Sequence, residues 1–401
     1  MRILIFIIFC FCIICCSKNK VSQEEIEKVN HQDVANENVT ENNFWFEQTE
    51  PVPELADVRT NIKNLILFEY KGKWGLLDEN FNIIIPPEYE YAFRIPYSEL
   101  YNCQNGNKCS VFDSQGKELV NFSDACMMND RYCISYESPY YILDYHTGKK
   151  SVFNCFLEGF CFDNNDLPLA IPVTTTSIGC FYLNEDLITK TFDDVFFKRV
   201  YPFNYGAAVV VDMDWNTKVI DKLGNVIIDN LLYSDQEYSE GLLSVMLKDG
   251  RTGYIDSKGK LVIEVPFYVE RTEPHQSFPF KEDVAVVQSP DKKNWTIIDR
   301  NGKVLGSCKD GWLGFCSCGL ISVRNDETYG FCDKMGNLVI RSEFQEAAAW
   351  HPVQFNDGYV AMLYEGNEVL LDTKGNVYYS ADIMAGNKEP AFSALIGNDD
   401  E

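Results

Sequence analysis

Positive charge is scarce in this sequence, and lysine and arginine form no cluster anywhere along it. The 401 residues contain 35 Lys and Arg against 60 Asp and Glu, which gives a formal net charge of −25. Nucleic-acid grooves and surfaces that bind anionic lipid heads depend on clustered cations. The composition therefore argues against a nucleic-acid partner for the folded part of the chain.

Histidine is rarer still, and the sequence lacks the usual catalytic motifs. His31, His146, His275 and His351 occur in no G-x-S-x-G, H-E-x-x-H or Cys-His context. Glycoside hydrolysis needs two carboxylates at a defined separation, and pairs arise by chance among 60 acidic residues. We therefore expect no catalytic residue, no cofactor and no enzymatic activity.

The most apolar run lies at the N terminus, where residues 1–16 are MRILIFIIFCFCIICC. This run is short for a membrane span but typical of a signal peptide. Ile13-Ile14-Cys15-Cys16 resembles a bacterial lipoprotein box, which predicts lipidation of Cys16, with Cys15 as the alternative site. A lipid there would anchor the protein to the cell envelope without a spanning helix. An ordinary secretion signal or N-terminal anchor is the other interpretation.

Residues 17–57 have little to bury. Ten acidic residues against three lysines give this segment a charge of −7. Such a composition is typical of a solvated, disordered tether. Phe44-Trp45-Phe46 is an apolar island that could dock on the repeats or on a partner.

The rest of the chain repeats one pattern, seen most clearly at residues 252–267, TGYIDSKGKLVIEVPF. Strand-forming residues precede Asp256 and follow Gly259. In the turn Asp-x-x-Gly, the carboxylate can accept a hydrogen bond from the backbone two residues on, and glycine adopts a positive φ without strain. The stretch therefore predicts a β-hairpin.

Eight copies of this turn recur, spaced on average about 37 residues apart, and Asn184 marks a degraded ninth. The predicted structural-turn residues are Asp78, Asp113, Asp144, Asp221, Asp256, Asp299, Asp333 and Asp372, with Gly116, Gly224, Gly259, Gly302, Gly336 and Gly375. A second landmark, an aromatic residue, precedes the later turns by about 18 residues; it is Phe203, Tyr238, Phe280, Phe315 or Phe355. Two landmarks in one register indicate a tandem β-repeat.

The first copy resembles a known family. Trp74-Gly75, then Leu76-Leu77-Asp78, then Pro86-Pro87-Glu88-Tyr89, are similar to the bacterial WG-repeat (KWG) signature. Thr252-Gly253 and Tyr329-Gly330 keep the glycine of the pair. The resemblance implies β-rich repeats in a bacterial, often exported protein, and it implies no particular reaction.

The repeats predict an all-β fold of tandem antiparallel sheets. The two residues before each turn Asp are both apolar, so these strands should be buried on both faces, between stacked sheets. We expect a β-propeller-like arrangement of about nine units over residues 58–380. An open β-solenoid of hairpins is the alternative. We expect residues 381–401 to form an acidic C-terminal tail.

Cysteine allows several readings. Of 15 cysteines, 11 lie outside residues 1–16. Cys103 with Cys109, and Cys155 with Cys161, flank turns at spacings that could form disulfides if the protein is exported. Cys316 and Cys318, with Cys308 nearby, lack the second pair of cysteines that a zinc site needs, so we predict no zinc. Each turn Asp offers one dependable carboxylate, too few ligands for calcium, so we predict no calcium either.

Two functions remain open. The first is a lipid-anchored binding or scaffold module whose loops contact an envelope protein, peptide or glycan. The second is an envelope hydrolase with carboxylates in the mouth of a propeller, and it would be favoured if two carboxylates converged in a pocket. A purely structural role in the envelope is a third possibility.

Overall fold

The computed structural model describes residues 64–396, with gaps. The gaps are 96–98, 107, 123–125, 129–131, 136–139, 145–149, 154–156, 164–165, 173–177, 184–188, 202, 222, 268–278, 291, 309–310 and 348–352, and between 122 and 196 only the backbone of the strands is described. Within these limits the chain forms eight hydrogen-bonded sheets, and the eight-stranded one joins two repeats. The described chain therefore contains nine units.

Units 1 to 4 have three or four strands each. Unit 1 is β1 (Ile66–Tyr70), β2 (Lys73–Leu77) and β3 (Ile83–Tyr89), and unit 2 is β4 (Tyr91–Arg94), β5 (Tyr101–Asn105), β6 (Lys108–Phe112) and β7 (Glu118–Phe122). Unit 3 is β8 (Cys126–Met128), β9 (Tyr132–Ser135), β10 (Tyr140–Asp144) and β11 (Lys150–Phe153). Unit 4 is β12 (Leu157–Asp163), β13 (Asp166–Pro172), β14 (Ile178–Leu183) and β15 (Thr189–Phe197).

Units 5 to 9 follow the same plan. Unit 5 is β16 (Arg199–Val200), β17 (Ala207–Val211), β18 (Thr217–Asp221) and β19 (Val226–Ile228), and unit 6 is β20 (Leu231–Ser234), β21 (Leu242–Leu247), β22 (Thr252–Asp256) and β23 (Leu261–Glu264). Unit 7 is β24 (Val284–Gln288), β25 (Trp295–Asp299) and β26 (Val304–Cys308). Units 8 and 9 share β30 (Leu338–Glu346). Unit 8 also contains β27 (Trp312–Ser317), β28 (Leu320–Asn325) and β29 (Thr328–Cys332). Unit 9 continues with β31 (Tyr359–Tyr364), β32 (Asn367–Asp372), β33 (Asn376–Tyr379), α1 (Ser380–Met384) and β34 (Phe392–Ser393).

Strands within each unit pair antiparallel in chain order, so the predicted all-β class is confirmed. The strand before each Asp turn pairs on both sides; β22, for example, pairs with β21 and β23. Leu76 and Leu77 on β2 are both fully buried, but Leu76 packs in a core cluster with unit 2 and Leu77 in one with unit 9. Adjacent residues therefore face two different neighbours, as expected for sheets stacked face to face.

The two ends of the array pack against each other. Phe68 of unit 1 shares a core cluster with Leu370 of unit 9 and Ile383 of α1. The ring of Phe81 lies edge-on to Tyr378 of β33, with centroids 4.8 Å apart. An open solenoid would keep its first and last units apart, so this contact favours the propeller-like arrangement over the solenoid alternative.

The C-terminal segment joins units 8 and 9. The N–H of Ala391 donates to Val377 O, and that of Ala394 to Gly375 O, both at 2.8 Å and both in unit 9. The N–H of Ile396 donates to Val339 O of β30 at 3.0 Å, which belongs to unit 8. In the part of the chain that is described, no helix has the length and apolar character needed to cross a membrane.

Candidate functional site

The Asp turns share one hydrogen-bond pattern. In each, Oδ1 accepts the backbone N–H two residues on and the N–H four residues on, at 2.8 to 3.0 Å, as shown by Asp78, Asp113, Asp221, Asp256, Asp299, Asp333 and Asp372. Asp144 ends β10, and its side chain lies outside the described residues. The backbone N–H groups of Lys303 and Asn301 lower the pKa of Asp299. These carboxylates are therefore occupied in holding turns.

Four turn glycines lie against the preceding unit, and a fifth lies against Leu395 of the C-terminal segment; the four are Gly116, Gly259, Gly302 and Gly336, and the fifth is Gly375. Gly259 has a φ of +77°, and a Cβ there would come within 2.9 Å of Ile227 Cγ2 on the preceding unit. The other turn glycines have φ angles between +76° and +84°; they are Gly116, Gly224, Gly302, Gly336 and Gly375. Glycine is therefore required both by the backbone conformation and, at Gly259, by the close approach of the neighbouring sheet.

The aromatic-Gly pair has a different role. The register between β2 and β3 shifts between Trp74 and Leu76, across Gly75, and again between Leu76 and Leu77. A Cβ on Gly75 would lie 2.6 Å from Ile85 O and 2.8 Å from Pro87 N. The glycine of the pair thus accommodates a bulge in the following strand.

The aromatic landmarks open the first hairpin of each later unit. Phe203, Tyr238, Phe280 and Phe355 are almost completely buried. In unit 8 the equivalent position is Cys316 and not Phe315, which corrects the sequence assignment by one residue. The cause is a register shift between Leu313 and Cys316, where β27 bulges against β28.

Behind each landmark is a tight two-residue turn with both φ angles positive, the form that suits β-hairpins. These pairs are Tyr205 and Gly206, Glu240 and Gly241, Glu282 and Asp283, Cys318 and Gly319, and Asp357 and Gly358. The turns bind one another from unit to unit, and we call these hydrogen bonds the turn clasps. They are made by Asn204, Ser239, Glu240, Glu282 and Ser317.

Glu282 shows how a turn clasp is built. Its carboxylate accepts the backbone N–H groups of Cys318 at 2.6 Å and Gly319 at 2.8 Å, in the next unit. Glu240 binds the N–H groups of Glu282 and Asp283 in the same way. Burial opposes ionisation of Glu282, but these hydrogen bonds prevail and lower its pKa. The clasps were not predicted from the sequence, although the acid in the YSEG and FKED segments was a visible signal.

Carboxylates also join the first and last units. Asp357 of unit 9 accepts from Asn64 Nδ2, which precedes unit 1, at 2.7 Å and also forms an ion pair with Arg94 Nη1 of unit 2 at 2.8 Å. Glu368 accepts the backbone N–H groups of Lys71 and Gly72 at 2.6 and 2.7 Å. Burial, with a contribution from Glu368, raises the pKa of Glu69 to about 7.

The cysteines form no metal site in the described chain. On the hairpin of β5 and β6, Cys103 lies opposite Ser110, and Cys109 lies opposite Gln104. Cys103 and Cys109 therefore face opposite sides of the hairpin and cannot form a disulfide. That pairing is therefore wrong. Burial and the nearby Glu282 raise the pKa of Cys316 to about 12, which keeps the thiol protonated. Among the described residues no three His, Cys, Asp or Glu side chains are grouped to hold a metal.

Several predicted residues lie outside the described part of the chain. They are Cys16, Cys15, Cys155, Asn184 and all four histidines. The disulfide considered between Cys155 and Cys161 and the lipidation of Cys16 thus stay predictions.

The two ends of the sheets differ. First-hairpin and Asp turns share one end, where they keep a constant form and contact neighbouring units. At the other end are the second-hairpin turns, such as Lys71-Gly72, 212–216, 289–294 and Glu365-Gly366, which vary in length and sequence. Among them Trp215 and Met213 are 66% and 42% exposed. We call this end the variable end.

The fold and turns define a tandem β-repeat protein with propeller-like architecture. Two segments, residues 74–109 and 329–362, match the family model of the WG containing repeat, which confirms the repeat resemblance at those two places. No curated protein matches the sequence.

Solved structures with a similar fold share little sequence with this chain. BamB from Moraxella catarrhalis is 11% identical, with 70% of this chain and 98% of that chain covered and a TM-score of 0.41. A eukaryotic initiation factor is 11% identical, with 84% and 96% covered and a TM-score of 0.49. The β-propeller domain of Cps50 (Swd1) from Myceliophteria thermophila is 12% identical, with 60% and 96% covered and a TM-score of 0.34. The architecture of this chain follows from its own strand pairing and from the contact of unit 9 with unit 1.

Proposed function

We propose that the protein is a lipid-anchored scaffold of the bacterial cell envelope that binds a protein partner through the variable end. The observation that supports this most directly is the contrast between the two ends of the sheets. At one end, carboxylates and hydroxyls are used in turns and turn clasps. At the other, the turns differ from unit to unit in length and sequence, and one of them, 212–216, exposes an indole, that of Trp215. A constant frame with varied loops is the usual design of a binding module.

The anchor is inferred from the N-terminal sequence. Arg2, the apolar run and Cys16 in Ile13-Ile14-Cys15-Cys16 fit a lipoprotein signal. Residues 17–57 would then link the lipid to the repeats, and as a flexible chain they would span about 35 Å. Such a tether lets the variable end reach a partner near the membrane surface without fixing its orientation.

Binding is favoured over hydrolysis by the state of Glu69 and Glu368, two carboxyl groups that influence each other at the junction of units 9 and 1. Glu69 is only 7% exposed, and Glu368 is held by two backbone N–H groups. A hydrolase needs carboxylates that reach a substrate. We therefore propose a binding module without enzymatic activity.

Site-specific crosslinking tests the binding surface. A photoreactive phenylalanine analogue would replace Lys248 or Glu365, both on second-hairpin turns, in the full-length chain expressed in its own envelope. The same discrete adduct should form from both positions and not from the control Lys258, which lies on the Asp turn of unit 6. Adducts of equal yield from Lys258, or none from either turn, would contradict the proposal.

Metabolic labelling with an alkyne fatty acid tests the anchor. The wild-type chain should incorporate label and require detergent for extraction, and Cys16→Ser should do neither. Label that persists in Cys16→Ser and disappears in Cys15→Ser would move the site by one residue. An unlabelled wild-type chain would remove the anchor from the proposal.

A further inference from the structure

A second turn in unit 5 copies the Asp turn but replaces glycine with tryptophan. In residues 212–216, Asp212 Oδ1 accepts the N–H groups of Asp214 at 2.9 Å and Asn216 at 2.8 Å. Trp215 occupies the fourth position, where the Asp turn of the same unit has Gly224, and its φ is +65°. A bulky residue in the left-handed region costs on the order of 1 kcal/mol, so its presence calls for an explanation.

Phe81 is the matched case, and there packing gives the explanation. It stands at the fourth position of the Asp78 turn with a φ of +57°. Its side chain is 7% exposed and lies against Tyr359 and Tyr378 of unit 9. Burial of an aromatic ring at the junction of the two ends repays the strain at this position.

Trp215 has no comparable packing. It is 66% exposed, and the contact on its ring is the ammonium of Lys198, 4.0 Å from the centroid. Met213, two residues earlier, is also exposed. A strained, exposed tryptophan beside an exposed methionine is the kind of residue pair that anchors protein interfaces.

Local charge indicates the partner's chemistry. Acidic residues outnumber basic ones by 60 to 35 in this chain, and many described cations are paired, as Lys218 is with Asp212 at 2.9 Å. Lys198 forms no ion pair with a carboxylate among the described residues, and its ammonium lies on one face of the exposed indole. A single cation on an exposed indole complements a segment that presents a carboxylate beside an apolar side chain.

We propose that Trp215, with Met213 and Lys198, is the docking anchor for an acidic, aromatic-bearing segment of a protein partner. An apolar side chain of that segment packs on the open face of Trp215, and a carboxylate pairs with Lys198. This inference rests on the proposed scaffold function and names the partner class for its variable end.

Indole NMR signals of the full-length chain provide the test. The protein has six tryptophans, and in a sample labelled with [15N]tryptophan the Trp215 signal is assigned by its loss in Trp215→Gly. The probes are a peptide with glutamates flanking two phenylalanines, the same peptide with lysine or glutamine in place of glutamate, chitotriose, and phosphatidylcholine vesicles. The acidic peptide should shift the Trp215 signal selectively, with at least about tenfold tighter binding than the lysine peptide.

Three variants separate docking from folding. Trp215→Gly should abolish binding yet melt no lower than the wild type, because glycine suits the positive φ. Lys198→Gln should weaken acidic-peptide binding about fivefold or more. Tyr205→Gly, which removes an exposed aromatic residue at a φ of +55° from the opposite end of unit 5, should leave binding unchanged.

Several outcomes would overturn the inference. They are no selective shift with any probe, equal binding of the glutamine or lysine peptide, or a selective shift with chitotriose or vesicles. If the crosslinked adduct at Lys248 and Glu365 persists in Trp215→Gly, the scaffold function stands and the assignment of Trp215 as its anchor fails.

Discussion

Glu69 of unit 1 lies beside Glu368 of unit 9, and burial together with the charge of Glu368 raises the pKa of Glu69 from 4.5 to about 7. One oxygen of Glu69, Oε2, is buried without a hydrogen-bond partner. Glu368 cannot move away easily because it holds the N–H groups of Lys71 and Gly72. The junction of the first and last units therefore contains a carboxyl group that resists ionisation.

Stability should depend on pH through this group. Between pH 4.5 and about 7 the folded chain keeps the Glu69 proton and the unfolded chain loses it. The unfolded state binds fewer protons, so the free energy of unfolding falls as pH rises through this window and levels off above it. Glu69→Gln should match the wild type near pH 4.5 and exceed it by about 1 to 3 kcal/mol at pH 8.

Denaturant unfolding of both proteins from pH 4.5 to 8 measures this difference. Glu327→Gln is the matched control, since Glu327 is exposed on a turn of unit 8, and it should not change the profile. A constant offset between Glu69→Gln and the wild type at every pH would show that ionisation of Glu69 is not the cause.

The turn clasps should contribute to stability through charge. Glu282→Gln keeps the size of the side chain, but its single amide oxygen can accept only one of the two N–H groups, from Cys318 or Gly319, and the bond it keeps is neutral. We expect a loss of about 1 to 2 kcal/mol in the free energy of unfolding at pH 7. Because the pKa of Glu282 is lowered in the folded state, the loss should shrink as pH falls below 4.5 toward that lowered pKa.

Asp283→Asn is the control for this variant, because its side chain is 81% exposed and next in sequence. It should unfold within about 0.5 kcal/mol of the wild type. Equal effects of the two substitutions would mean that the clasp at Glu282 adds nothing beyond a surface charge.

Local and long-range features of this fold differ in how far sequence predicts them. The Asp turns follow from residues four apart, so spacing alone gave their form, and the nine-unit β-repeat followed from their recurrence. The turn clasps join residues about 36 positions apart, as Glu282 and Cys318 are, and their partners depend on how the sheets stack. Cys103 and Cys109 were misjudged because a one-residue difference in register decides which face a side chain takes.

Gly259 tests the contact between units 5 and 6. Gly259→Ala should cost about 1 to 3 kcal/mol, because the left-handed backbone is strained and the new Cβ meets Ile227 at 2.9 Å. Gly250→Ala is matched to it, with a φ of +91° and no atom within 4 Å of the new Cβ. It should cost only the backbone strain, about 1 kcal/mol. Equal losses in thermal or denaturant unfolding would show that the packing of Gly259 on unit 5 is unimportant.

The C-terminal segment should hold units 8 and 9 together. Deletion of residues 391–401 removes the hydrogen bonds to Val377, Gly375 and Val339 and exposes Val377, which is fully buried in the intact chain. We expect a loss of about 2 to 4 kcal/mol, with faster hydrogen exchange in β33 and β30. Deletion of residues 397–401 alone keeps every one of these bonds and should leave unfolding unchanged. If the longer deletion is also silent, units 8 and 9 are joined sufficiently by β30, and the segment only covers their edge.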